Sequence, residues 1–183
     1  MDTAPNIRAH LDADVHLQSE INHALLAVAD GLSAGSDRRL VRILKRTLEA
    51  SWTEHVSFQE EVVFPIIEAR HGQETRDSID RLRSDHASLS QRHGEVAQAL
   101  QGMLHGRDAD PALLDALLRM TVEQRRSHVH KDAELDKWLP ATFTEHETWL
   151  CAEWISTRPR PRFPLNLLGA TGRPIPRLGG RLH

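Results

Sequence analysis

The sequence predicts an all-α protein: an up-down-up-down four-helix bundle over residues 7–157, then an extended basic tail over 158–183 rich in proline and glycine. Three observations carry this reading. Apolar residues recur at steps of three and four along four long segments. No segment alternates with a period of two over a useful length, so no sheet is expected. The breaks between segments are short, which suits antiparallel neighbours in a bundle.

The first helix is expected over 7–32. Leu17, Ile21, Ala24, Leu25, Val28 and Leu32 form its apolar stripe, and Gly31 to Gly35 end it. His16 borders that stripe, and Glu20 and His23 share its side of the helix. Asp37 is the N-cap of a second helix over about 38–70. Its inward line is Leu44, Leu48, Trp52, His55, Gln59, Val62 and Ile66, so His55 and Gln59 stand at core positions. Pro65 should kink this helix without ending it, because apolar residues continue beyond it. Should the helix bulge near Pro65, Glu60 could also reach the interior.

His71-Gly72 is a stop. The third helix is expected over about 74–104, with Ile79, Leu82, His86, Leu89, His93, Val96 and Leu100 inward. Gly102 to Asp110 is a loop, and Pro111 suits the first turn of the fourth helix. That helix is expected to run to about 139 and to resume after Pro140 as far as Trp154. Its inner line reads Leu113, Leu117, Met120, Glu123, Ser127, His130 and Glu134.

The 183 residues suffice for one domain with a full core and a tail. Tyrosine is absent and aromatics are 4% of the chain, so the core must be largely aliphatic. One cysteine, Cys151, excludes an internal disulfide and a Cys-based zinc site. The N-terminus lacks the basic and apolar regions of a signal peptide, and no apolar run is long enough for a bilayer. A cytoplasmic protein without membrane insertion is therefore expected. Net charge is −3, yet the stretch from Arg158 holds six arginines and no acids, which leaves the body at −9. The tail carries no nucleic-acid motif, and folding back on the acidic body is the simpler expectation.

Twelve histidines are many for this length. His130 and Glu134 lie one helical turn apart, a chelating geometry. His55 and Gln59 repeat it: both pairs read His-x3-(Glu or Gln)-x5-Pro, ending at Pro140 and Pro65. His16-x6-His23 and His86-x6-His93 form a second matching pair, so the chain resembles two similar hairpins. Counting residues from each loop sets His16, His55, His86 and His130 at one height. Four buried imidazoles and a carboxylate without partners would cost about 1–3 kcal/mol each. A bound metal removes that conflict, and imidazole with carboxylate suits iron, zinc or manganese. His128 competes with His130, but the match to Glu134 and Pro140 favours His130. His23 and His93 would form a second polar layer near Glu123. His10, His71, His105, His146 and His183 read as surface or terminal residues. Glu60, Glu61 and Asp132 read as a solvated face, and Trp52 and Trp138 as packing.

This pattern resembles the hemerythrin-like (HHE cation-binding) family over residues 7–145. The residues that carry the likeness are His16, His55 with Gln59, His86, and His130 with Glu134, together with Pro65 and Pro140. The resemblance implies two oxygen-bridged, non-heme irons in a four-helix bundle that binds O2 or reacts with peroxide or NO. An oxidase, peroxidase or catalase-like activity would make it an enzyme; a metal-sensing or partner-binding module is the alternative. Gln59 departs from the family, which places a bridging Glu there. Three outcomes follow: another carboxylate (Glu20 or Glu60) substitutes, one metal is held, or the site is empty.

Overall fold

The computed structural model describes residues 7–107 and 110–158. Apart from Arg158, the tail, with the anchor expected at Leu165 to Leu168 and with His183, lies outside the described residues. All regular secondary structure among the described residues is helical.

Helix α1 spans Ile7–Asp30 and α2 spans Arg38–Phe58. The Asp37 carboxylate caps α2 by accepting from the Arg39 amide at 2.8 Å. A π-helical turn, Gln59–Val63, joins α2 to α3, Phe64–His71. The Phe64 amide donates to the Gln59 carbonyl, five residues back. Pro65 explains the widening: it has no N–H for Glu61, and its ring crowds that carbonyl in a regular α-turn. The helix thus continues past the proline as its sequence suggests. Gly72, at φ +56°, is the whole link to α4, Gln73–Leu104. That left-handed conformation is why glycine stands there. Helix α5 spans Pro111–Ala133, with Asp110 accepting from the Ala112 amide at 2.9 Å.

Each of α1, α2, α4 and α5 packs mainly on two of the others: α1 on α2 and α5, and α4 on the same two. Two apolar clusters form. One joins Leu17, Ile21, Leu25, Leu44, Leu48, Leu100 and Leu118; the other joins Phe58, Phe64, Ile67, Ile79, Leu82, Leu135 and Trp154. On every long helix buried polar residues fall between these two sets: His10 and Asp14 on α1, Ser51 and His55 on α2, His86 and His93 on α4, and Arg125 and His128 on α5.

The inward lines of α2 and α4 are those the sequence predicts. On α1 the apolar stripe from Leu17 to Val28 is buried as expected, but its continuation towards the N-terminus, and the line of α5, need correction. On α1 the buried line continues from Leu17 through Asp14 and His10 to Ile7. His10 is therefore interior, its ring tilted 51° against Phe58 at 4.2 Å, whereas His16 is outside. On α5 the buried residues are Leu114, Leu118, Thr121, Val122, Arg125 and His128. Leu113 is 70% exposed and Met120 50%. Leucines stand in adjacent pairs at 113–114 and 117–118, so hydrophobicity does not choose between two faces 100° apart.

Helix α5 also ends earlier than expected. A 3-10 turn, Glu134–Lys137, follows it, and α6, Glu145–Thr157, starts afresh. Thr144 and Glu147 form its capping box, with bonds of 3.2 and 2.7 Å. Glu147 also takes two bonds from Arg70 at 2.9 and 2.5 Å. Glu61, expected on a solvated face, accepts from Trp154 Nε1 at 3.2 Å and Arg158 Nη2 at 2.8 Å, tying α6 to the π turn.

Candidate metal centre

Three helices each bring one buried histidine to a common point: His55 from α2, His86 from α4 and His128 from α5. Their potential ligand nitrogens lie within 4.8 Å of one another. His55 Nε2 and His128 Nε2 are 2.9 Å apart. Asp132, one turn beyond His128, sets Oδ2 at 3.2 Å from His128 Nε2 and 3.4 Å from His55 Nε2. Gln59 Oε1 is 3.0 Å from His86 Nε2, and its amide also donates to Asp132. Trp52 stacks on His55 at 5.0 Å and meets His86 and His128 edge-on. Its Nε1 donates to Ser90 Oγ at 2.9 Å, which fixes the ring.

The second nitrogen of each imidazole faces a carboxylate. His55 Nδ1 lies 2.6 Å from Asp14 Oδ2, His86 Nδ1 3.3 Å from Glu60 Oε1, and His128 Nδ1 3.6 Å from Asp85 Oδ2. The π turn brings Glu60 there beside Gln59. Each carboxylate in turn meets a cation. Glu60 accepts from Arg83 Nε at 3.0 Å and Asp85 from Lys131 Nζ at 2.6 Å. Asp14 reaches Arg125 through Gln18: Gln18 Nε2 donates to Asp14 Oδ1 at 3.1 Å, and Arg125 Nη2 donates to Gln18 Oε1. A carboxylate behind a ligating histidine fixes its tautomer and strengthens it as a donor to metal.

Burial and neighbouring charge set the proton affinities of this layer apart. Burial opposes a charge on His55, but Asp14 outweighs it and raises the ring above its ordinary value. Burial, with His55 alongside, pushes His86 down to about 4 and His128 to about 2. Burial pushes the Asp132 carboxyl up to about 6, against the pull of His55. Neutral His86 has one proton and two acceptors, Glu60 Oε1 and Gln59 Oε1. His128 Nδ1 and Asp132 Oδ1 are buried without a hydrogen-bond partner. A cation at the Nε2 side resolves these conflicts, because Nδ1–H can then face each carboxylate.

The donor set fits one transition-metal ion. At metal–nitrogen distances of about 2.1 Å, neighbouring ligand nitrogens lie about 3.0 Å apart in an octahedral and about 3.4 Å apart in a tetrahedral site, against 2.9 Å between His55 and His128. It does not fit the carboxylate-bridged pair that the family resemblance implies. Gln59 is a neutral amide, and both Asp14 oxygens are engaged by His55 and Gln18.

Of the residues the sequence nominates, the structure brings together His55, Gln59, His86 and Glu60. It does not bring His16, Glu20, His130 or Glu134 to them. His16 has a side chain 72% exposed and pairs with Glu20 at 3.0 Å. His130 and Glu134 are exposed. The expected layer of four histidines is thus a layer of three, with Asp14 in place of a histidine from α1. His128-x3-Asp132 has the same chelating spacing as His130-x3-Glu134. The proline spacing misleads because the π turn lengthens only the α2–α3 path, while α5 ends before Pro140. Asp132, expected on a solvated face, has a side chain only 11% exposed.

A second polar layer lies beside the first. Arg125, 1% exposed, donates Nε to Asn22 Oδ1 at 2.7 Å and Nη1 to His93 Nε2 at 2.9 Å. Burial lowers the guanidinium to about 10, with Asp14 opposing, so it stays charged. His93 is here as expected, but His23 and Glu123 are exposed.

No protein-family model, no curated protein and no solved structure matches this chain.

Proposed function

We propose that this protein is a metal-binding four-helix bundle of hemerythrin-like type, which holds non-heme iron at His55, His86, His128 and Asp132 and handles O2, peroxide or NO. The observation that carries the reading is the convergence of three imidazoles from three helices, each with a carboxylate at its other nitrogen. The donor set also accommodates zinc or manganese. Bound iron would supply an open position for a small ligand together with one-electron chemistry. The chain's part is to bind and to orient. Trp52 packs the imidazoles, Asp14, Glu60 and Asp85 hold their tautomers, and the apolar clusters on either side exclude water. The near-complete burial of the three imidazoles, at 4, 4 and 1% exposure, favours a second role in which the ion stabilises the fold and so reports metal supply.

Protein produced with iron supplied is expected to carry stoichiometric metal and to lose thermal stability in chelator. Peroxide turnover that disappears in His128→Ala would make it an enzyme; metal-linked stability without turnover would favour the sensing role. No stoichiometric metal, with chelator leaving stability unchanged, sinks both.

A further inference from the structure

The metal reading gives no role to one buried polar group, Gln59. It is a neutral amide 1% exposed, set among the ligand atoms between His86 and Asp132. Its place follows from charge. The three carboxylates behind the imidazoles are each matched by a cation, directly for Glu60 and Asp85 and through Gln18 for Asp14. Among the donors themselves only Asp132 is anionic. A divalent ion on three neutral imidazoles and one carboxylate therefore leaves a centre of charge +1. A second divalent ion would raise this to +3, and Asp14 could not be shared with it, since both its oxygens are already bonded.

We infer that the centre takes a single ion and completes its coordination with a small monoanion, for which Gln59 is the hydrogen-bond donor. This rests on the metal reading above. In a buried site an unbalanced charge is costly, so a monoanion is favoured over a neutral ligand such as water or free imidazole. A glutamate at 59 would neutralise the centre internally; glutamine leaves the charge for an exogenous ligand and offers it an N–H. The Gln59 amide carries two N–H hydrogens and gives one to Asp132, so the second is left for this purpose.

Cobalt(II) titration of the metal-free full chain tests both parts through its visible d–d bands. The expected result is saturation at one equivalent, followed by a saturable spectral change on adding cyanate and none with neutral imidazole at the same concentration. Gln59→Glu should weaken cyanate binding at least tenfold, and Gln59→Leu, which keeps the charge but removes the donor, should weaken it less. Saturation at two equivalents overturns the inference, as does one equivalent with no response to cyanate or with equal responses in the native chain and Gln59→Glu. Failure to bind cobalt at all overturns the metal reading itself.

Discussion

Two buried polar layers stand side by side in this protein and solve the same problem in different ways. The layer at Arg125 contains its own cation. Its guanidinium donates to Asn22, His93 and Gln18, and among these partners only His93 Nδ1 lacks a hydrogen bond. The layer at His55 contains acceptors in excess: two imidazole nitrogens 2.9 Å apart, a carboxylate oxygen against both, and an amide oxygen against a third ring. Among the described residues no lysine or arginine bonds directly to these groups; the cations stand one carboxylate further out. The first layer holds its cation as folded, and the second has the composition of a layer that imports one. Gln18 and Asp14 link the two, so the permanent charge of one supports a ligand of the other.

This contrast can be broken in a definite order. The largest effect is expected from Arg125→Met, which removes a built-in cation and leaves the buried acceptors of Asn22, His93 and Gln18 without their donor. A loss of about 3–5 kcal/mol in denaturant-unfolding stability is expected; a loss below about 1 kcal/mol would mean that the layer does not need its charge. Next comes His128→Ala. At metal a thousandfold above its dissociation constant, the native chain should gain about 4 kcal/mol. His128→Ala should lose that gain in thermal melts with and without metal, and His130→Ala should keep it. The reverse result would restore the register that the proline spacing suggests. Asp85→Asn should weaken metal binding about 10–100-fold, read by chelator competition, while changing metal-free stability little.

The smallest effect belongs outside both layers, at the α6 anchor. Arg70 holds the Glu147 carboxyl down to about 2, and the Thr144 amide adds to this. A depressed carboxyl stabilises the folded chain above its unfolded value of 4.5 and loses that contribution as pH falls towards 2. Glu147→Gln should therefore cost no more than about 1 kcal/mol at pH 7. The difference from the native chain should shrink between pH 4.5 and 2 in acid titrations followed by Trp fluorescence.

The same contrast explains what could be read in advance. On α2 and α4 the polar core residues interrupt strongly apolar lines, Leu44 to Ile66 and Ile79 to Leu100, so His55, Gln59, His86 and His93 could be assigned to the interior by period alone. On α1 and α5 the interior line is itself polar, through His10 and Asp14, and through Arg125, His128 and Asp132. A hydrophobic stripe cannot find residues that are buried because of their partners. Arg125 meets Asn22 and Gln18 at separations of more than 100 residues, and His128 meets His55 across 73.

By itself the sequence determined the all-helical architecture, the positions of the long helices, the continuation through Pro65 and the presence of a histidine- and carboxylate-rich interior. These rest on local quantities: apolar period, caps and breakers. Only the tertiary structure decided which face of α5 turns inward and how the line of α1 continues before Leu17, and with these the choice of His128 and Asp132 over His130 and Glu134, and of Asp14 over His16. The physical reason is that a buried polar side chain is stabilised by the specific groups it meets, and those groups come from other helices.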